Sequence, residues 1–562
     1  MAVANNAARA LRVPSRLSLP TSAQAVWILV AAGIALRLAR YLVDRPLWID
    51  ESMLSLNVTG KSFSALLGPL DFQQGSPPAF LIGEKLAAEA FGRSEYALRL
   101  LPLIFGIASL LLFHRLAIAF LSRRAALLAL GLFAVFEPLI YYSAEVKQYS
   151  GDVLATVLLL LLAHAALVER PPRGAYVRLA AAGAAAMWFS HASLLVLAAI
   201  GTVLAASAAQ RRQRRALALL ALPCSAWLAS FAVLELVTLR RQVGGLQRSI
   251  VGEHSPYALP FPSTSTADAQ WFASNVSWIF RGMAGWPTVL AVAAVLLCAL
   301  GAWVCLRRKP RGTALLVMPL LAALLASAAH KYPFGGRFVL FLLPATIIFI
   351  AAGADRLLDV RRPPAVRAVS LAVIAAVIGF QVGAAAFHVV APVRRENIKP
   401  VLRHLEQRWR DGDRLYVYHA AQYAFRFYGE AGYLDTTRNG RRVPLVPIVP
   451  APANPAGGAA ALLSRPPSLM IGLFSPGDAD AYLRQLSRLR GSPRVWILFS
   501  NSHADHPGEE RAFLDYLDSI GRRLDSFRKD DAAAYLYDLS AGSIAPVAAG
   551  WVSPKSSATS TS

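Results

Sequence analysis

The sequence predicts a polytopic α-helical membrane protein with a small α/β domain at its C-terminal end, and three observations predict it. Of 562 residues, 56% are hydrophobic and only 16% charged, too little polar surface to clothe a soluble globule of that size. Apolar runs of roughly 18 residues or more recur over the first two thirds of the chain, each long enough to cross a hydrocarbon core. Lys and Arg outnumber Asp and Glu, 57 to 33, and they gather in short connections between those runs. That placement is an orientation signal in a lipid bilayer, and nucleic acid is not an expected partner.

Taken in order, about eleven spans are expected on hydropathy. They fall near 24–42, 96–120, 125–141, 152–168, 175–189, 192–209, 216–238, 287–306, 313–330, 338–354 and 368–390. Residues 1–23 carry Arg9, Arg12 and Arg16 and run into the first span with no small-residue cleavage site, which predicts a retained anchor. Basic residues then mark alternate connections: Arg123 and Arg124; Arg170 and Arg173; Arg211 to Arg215; Arg307 to Arg311; Arg356 to Arg367. Those connections and the N-terminus are assigned to the cytoplasm. The opposite side receives the long loop 43–95, the turn 142–151, the loop 239–286, the turn 331–337 and everything beyond 391. Cys224, Cys298 and Cys305 lie inside apolar segments without metal-ligand spacing, so neither a disulfide framework nor a zinc site is expected.

Beyond 391 the pattern changes. Glu396 to Trp409 reads as an amphipathic helix and Asp413 to Tyr418 as a strand; Leu469 to Phe474, a helix over 478–489, Val495 to Phe499, a helix over 509–520 and two strands near 522–539 follow. These alternating signals predict an α/β domain over 391–545 on the outer face. The Pro-, Ala- and Gly-rich stretch 443–458 reads as a loop, and 546–562 as a disordered tail.

The chemistry is expected where carboxylates sit at the ends of apolar runs, because ionised groups at a bilayer boundary are costly unless they face water or partners. Asp50 and Glu51 follow the first span in a loop whose Phe63, Leu66, Leu67, Phe80, Leu81, Leu86 and Phe91 are spaced for amphipathic interfacial helices, a roof for a cavity. An aspartate in such a cleft is suited to take a proton as a bond forms, its plainer reading being a helix cap. Glu145, Lys147 and Asp152 share a turn with Tyr142, Ser143, Tyr149 and Ser150. Carboxylates from the two loops are candidates to share a divalent cation, Mg or Mn, or to orient a substrate with an anionic leaving group. The plainer readings are an ion pair between Glu145 and Lys147 and a capping role for Asp152. In the turn His330 to Arg337, Gly335 and Gly336 allow close approach of backbone to a ligand, while Lys331 and Arg337 are candidates to hold phosphate at the bilayer edge.

These residues resemble a known family. Trp48-x-Asp50-Glu51 after the first span, Ser76-Pro77-Pro78, Ser94-Glu95-x-x-x-Arg99 entering the second, and Tyr142-Ser143-x-Glu145-x-Lys147-x-Tyr149 after the third are similar to bacterial membrane glycosyltransferases of the GT-C fold. The likeness is to the branch of protein O-mannosyltransferases and aminoarabinose transferases. Tyr332-Pro333-x-x-Gly336-Arg337 and Asp413-x-x-Tyr416 are also similar to members. The resemblance implies inverting transfer of a hexosyl or pentosyl group from a polyprenyl-phosphate donor to a glycan, lipid or protein acceptor, on the outer face of a bacterial inner membrane. By position, Asp50 would be the general base with Glu51 beside it. Glu145 and Asp152 compete for the metal or acceptor contact, while Lys147, Tyr149, Lys331 and Arg337 would face substrate.

Two other classes remain open on the sequence. A transporter or flippase of lipid-linked sugars should line its midplane with ionisable residues, whereas here the main ones are Arg37, His164 and Glu235 and charge collects at one edge. A scaffold displaying the α/β domain should be indifferent to loss of the Asp50 carboxylate.

Overall fold

The computed structural model describes residues 22–169, 171–242, 257–260, 265–359, 363–392, 394–430, 435–438, 441–444, 469–472, 479–501 and 508–540. The arginines of the N-terminus, the expected disordered tail 546–562 and most of the loop 443–458 lie outside them. The long helices are α1 (Ser22–Leu42), α4 (Glu95–Phe120), α7 (Tyr149–Ala166), α8 (Arg173–Phe189), α9 (Ala192–Gln210), α10 (Arg214–Leu234), α12 (Thr288–Arg308), α13 (Pro310–Ala328), α14 (Leu343–Leu357) and α15 (Pro364–Val390). Shorter ones are α2 (Ile49–Gly60) and α3 (Pro78–Phe91) in the first loop, α5 (Arg123–Val135), α6 (Glu137–Tyr141) and α11 (Thr266–Trp278).

Among the described residues nine helical stretches are long and apolar enough to cross a membrane, ten if α5 and α6 form one broken span. The sequence expectation of eleven differs by α8, whose 17 residues lie at the short end of the range for a crossing. The third expected span is bent by 53° between α5 and the segment that begins at Glu137. Its cause is local. Pro138 has no N–H to offer the carbonyl of Ala134 four residues back, and Arg37 of α1 donates to that oxygen instead, at 3.2 Å, as well as to Gly33 at 2.9 Å. Arg37, read from the sequence as one of the few intramembrane ionisable residues, is a fully buried tie between two helices.

The basic connections meet at one end of the bundle. Arg124 binds Asp355 at 2.7 Å, Ser122 donates to the same carboxylate at 3.0 Å, and Lys309 reaches the carbonyl of Ala119 at 2.8 Å. On another flank α12 and α14 cross with backbones in contact: a Cβ on Gly301 would land on the Phe349 carbonyl oxygen, and one on Gly353 on that of Leu297. Only residues without side chains permit this approach.

The C-terminal part is a mixed sheet with helices, as the alternating signals predict. Its strands are β1 (Arg414–Val417), β4 (Leu469–Ile471), β5 (Val495–Ser500), β6 (Arg522–Lys529) and β7 (Ala532–Asp538), in the order β4-β1-β5-β7-β6. β1 runs parallel to β4 and β5, while β7 is antiparallel to β5 and β6. Helices α16 (Ile398–Arg408), α17 (Gln422–Glu430), α18 (Ala479–Ser487) and α19 (Glu509–Ile520) flank it; α17 and a hairpin of β2 (Asp435–Arg438) and β3 (Arg441–Pro444) were not expected. This sheet does not stand apart. Its buried Tyr416, Val417, Tyr428, Trp496 and Leu498 share one continuous core with Leu47, Leu54, Val58, Leu66, Phe80 and Leu81 of the first loop and Val146 of the second turn.

Candidate active site

Three loops at the end of the bundle opposite the Arg124–Asp355 cluster deliver the site. α2 starts at Ile49, with Trp48 as its N-terminal cap residue, so Asp50 and Glu51 fall in its first turn. Successive helical residues point about 100° apart, and these neighbours take different surroundings. Glu51 is wholly buried and accepts from Arg99 Nε at 2.9 Å and Nη2 at 2.7 Å, a fork that suits a carboxylate, and from the Val146 N–H at 2.9 Å. Arg45 stands at 3.7 Å. Burial alone would raise the Glu51 carboxyl, but Arg99 and Arg45 outweigh it and hold it below the usual range.

Asp50 instead faces Arg337, with which it forms a hydrogen-bonded ion pair; the two side chains keep 20% and 25% of their exposure. Burial raises the Asp50 carboxyl, yet Lys147, Arg337 and Arg395 together pull it below the ordinary carboxylate range, so it is ionised at neutral pH. Asp50 is not the helix cap of its plainer reading. Arg337 is delivered by the turn predicted to hold glycine: Gly335 has φ 155° and Gly336 φ 51°, and a Cβ at Gly335 would press on Asn275 and Tyr257. Its guanidinium lies 5.3 Å from the Trp48 ring, 5.6 Å from Tyr149 and 5.8 Å from Phe338, an aromatic seat for a cation.

A cavity of about 860 Å³ opens beside this pair. Asp50, Lys147, Tyr149, Asp152, Lys331 and Arg337 all line it, so six of the eight residues singled out from sequence converge there. Glu51 and Glu145 do not. The remaining wall is largely apolar, from Leu194 and Leu195 of α9, Phe231 and Leu239 of α10 and its continuation, and Ala326 of α13. Lys147 donates to Gln74 of the first loop at 2.7 Å, and burial lowers its ammonium, opposed by Asp50. The ion pair with Lys147, the plainer reading of Glu145, does not form. Glu145 takes the Trp48 indole N–H at 3.0 Å and is fully buried; burial and the nearby Glu51 push its carboxyl up. Asp152 is not a cap either, since Gln148 holds that position and Asp152 leaves Oδ1 without a hydrogen-bond partner in the cavity wall.

The expectation that Asp50, Glu145 and Asp152 share a divalent ion is not met by this arrangement. Asp50 is committed to Arg337, Glu145 lies behind Trp48, and no cluster of three His, Cys, Asp or Glu side chains suited to a metal occurs among the described residues. A donor set with one free carboxylate does not fit Mg or Mn.

Several contributors were missed from sequence. Gln74, Gln148, His191, Glu235 and Arg240 also line the cavity, and Arg395, from the far side of the last span, lies 4.9 Å from the Trp48 ring. His191 and Glu235 follow apolar runs with no motif around them; Arg394-Arg395-Glu396, a charged triplet just past a span, was the one signal available.

No protein-family model matches the sequence, and no curated protein matches it. Solved structures do. The apo structure of ArnT from Cupriavidus metallidurans matches with a TM-score of 0.54 at 13% identity, over 92% of this chain and 98% of that one. ArnT bound to undecaprenyl phosphate matches at 0.50 and 14%, over 91% and 97%. The apo Archaeoglobus fulgidus oligosaccharyltransferase matches at 0.50 and 12%, over 92% of this chain and 74% of that one. From first span to final sheet, then, the chain has the GT-C fold of these membrane glycosyltransferases.

Proposed function

We propose that the protein transfers a sugar from a polyprenyl-phosphate carrier to a hydroxyl on a glycan, lipid or protein acceptor, with inversion at the anomeric carbon. The observation that carries this reading is the composition of one cavity: an ionised aspartate and three cations, Lys147, Lys331 and Arg337, at one end, and an apolar wall suited to a prenyl chain. The undecaprenyl-phosphate complex of ArnT, which shares the fold, supports the same class of ligand here. Basic connections at the opposite end of the bundle favour a cytoplasmic location for that end, so the site would open on the outer face of a bacterial inner membrane.

In this mechanism Arg337, Lys147 and Lys331 hold the lipid phosphate and neutralise charge that grows on it. Asp50 accepts the proton of the acceptor hydroxyl as its oxygen attacks the anomeric carbon from the face opposite the phosphate. The new glycosidic C–O bond forms as the C–O bond to phosphate breaks, the lipid phosphate leaves as an anion, and the proton rests on Asp50. Glu51, whose oxygens are taken by Arg99 and Val146, orients the turn and does not touch substrate. No step is routed through a metal.

The test uses the purified chain in proteoliposomes with a panel of radiolabelled polyprenyl-phosphate sugars and an envelope extract as acceptor. Wild type should move label from lipid to acceptor and Asp50→Asn should not. Movement of intact labelled lipid between leaflets without transfer, equal in both proteins, would instead establish the flippase reading.

A further inference from the structure

The C-terminal domain reaches the site through three consecutive contacts. The Leu47 N–H donates to the Tyr428 hydroxyl at 2.7 Å, the Arg395 guanidinium lies over the Trp48 ring, and the Ile49 N–H donates to Glu396 Oε1 at 3.1 Å. Residues 47, 48 and 49 are the three that lead into Asp50. Ile49 is the first residue of α2, where backbone N–H groups have no partner inside the helix. Glu396, some 350 residues along the chain, supplies that partner and so sets where the helix begins.

The grip is braced on its far side. Ser500 at the end of β5 donates to Glu396 Oε2 at 3.4 Å, tying the contact to the sheet. The Tyr428 hydroxyl in turn donates a hydrogen bond to Glu95 at 2.9 Å, and Lys399 bridges Glu95 at 2.5 Å and Asp44 at 2.6 Å. Glu396 is 2% exposed and has φ 50°, a left-handed conformation that costs a non-glycine residue energy and that the surroundings must hold. α17 packs on α2 itself, with the Tyr423 ring 5.0 Å from Phe72, a cavity residue.

We propose that the C-terminal domain is a clamp that positions the reacting carboxylate, with Glu396 and Tyr428 as positioning residues that act through Ile49 and Leu47 on Asp50. This rests on the reading of Asp50 as the base. When the domain is docked, α2 starts at Ile49 and Asp50 meets Arg337 in the cavity; when the contacts at 47–49 are lost, the first turn frays and the carboxylate loses its aim. The domain thereby acts on kcat without touching substrate.

The full-length chain in proteoliposomes tests this with Glu396→Ala, Glu396→Gln and Tyr428→Phe. Glu396→Ala should lower kcat by about 10- to 100-fold, the scale of a small misplacement, with KM for the lipid donor changed by less than about twofold, because the cations are untouched. Glu396→Gln keeps an oxygen for the Ile49 N–H and should restore most of that loss. Hydrogen–deuterium exchange, which needs no substrate, should quicken in the peptide 45–60 of Glu396→Ala, stay slow in Glu396→Gln, and be unchanged in the transmembrane peptides of both. Should Glu396→Ala not fold, Tyr428→Phe keeps the ring, removes only the hydroxyl that Leu47 uses, and should quicken the same peptide. Unchanged exchange at 45–60 in Ala and Phe variants, or a Gln variant as slow in transfer as Ala, overturns the clamp. Quickened exchange in a chain whose wild type transfers no sugar overturns the transferase reading and leaves the clamp in place.

Discussion

Below the site, the bundle is an apolar core in which α4, α5, α7, α9 and α14 contribute buried Leu, Ala, Val, Ile and Phe. Above it lies a core of another kind, in which a mixed sheet rich in buried Tyr, Trp and Phe is continuous with the first loop. The bundle supplies Arg337 and Lys331 at the end of a span, and the upper layer supplies Asp50 at the start of α2. The difference teaches that neither region contains the cavity's charged end: the Asp50 carboxylate and the cations meet only where the two cores are joined. Glu51 with Arg99 is the buried seam, since one partner belongs to α2 and the other to the span α4.

Asp50→Asn should have the largest effect. Removal of a positioned base costs on the order of 10²- to 10⁴-fold, so initial rates of sugar transfer should fall by that factor with the fold intact by circular dichroism. A variant as fast as wild type would remove the upper layer from the chemistry. Next comes the seam. Arg99→Met leaves Glu51 buried without its partner, and breaking such a pair costs about 3–5 kcal/mol; thermal unfolding in detergent should show a lower midpoint. A midpoint equal to wild type would mean the two cores do not depend on each other.

Lys147→Gln probes the cationic side alone. It should lower kcat/KM by about tenfold, or about 1.4 kcal/mol, through a higher KM for the phosphate-bearing donor and a lower kcat, because the same cation meets the growing charge; an unchanged kcat/KM would remove Lys147 from the site. The smallest effect is that of pH on docking. Burial pushes the Glu396 carboxyl up to about 8, against hydrogen bonds from Ile49 and Ser500 and with Asp50 and Asp531 adding to the rise. An unfolded glutamate titrates near about 4.3. Between those values the folded chain binds more protons than the unfolded one, so stability is fully present below the lower value and declines as pH rises toward about 8. Protection at 45–60, the exchange rate taken relative to that of an open amide at the same pH, should fall modestly over that range and stay constant in Glu396→Gln; constant wild-type protection would show that this carboxyl does not change charge there.

Much of this was legible before the coordinates. Spans were readable because uninterrupted apolar length is a one-dimensional property, and six site residues were readable because they share a side once alternate loops are assigned. Asp50 was placed in the cleft from the sequence, but that Glu51, one position on, turns away to Arg99 was not legible, because the direction each takes depends on where α2 starts, and Glu396 reaches that start from the other end of the chain. Glu145 was misjudged for a related reason. Its turn was located, but the Trp48 indole that takes it out of the cavity comes from another loop. The strands at 414–417, 495–500 and 532–538 were readable as short apolar runs between helical patterns, and in the structure they are buried almost throughout, whereas α17, at Gln422–Glu430, was not read from the sequence.

The glycine contact between α12 and α14 has a mechanical consequence. With backbone resting on backbone at Gly301 and Gly353, the crossing has no intervening side chain whose rotamer could adjust to make room. Neither helix borders the cavity, whose apolar wall comes from α9, α10 and α13. A side chain introduced at Gly301 or Gly353 would therefore wedge that crossing apart on a flank away from the cavity, and leave the cavity's own lining in place.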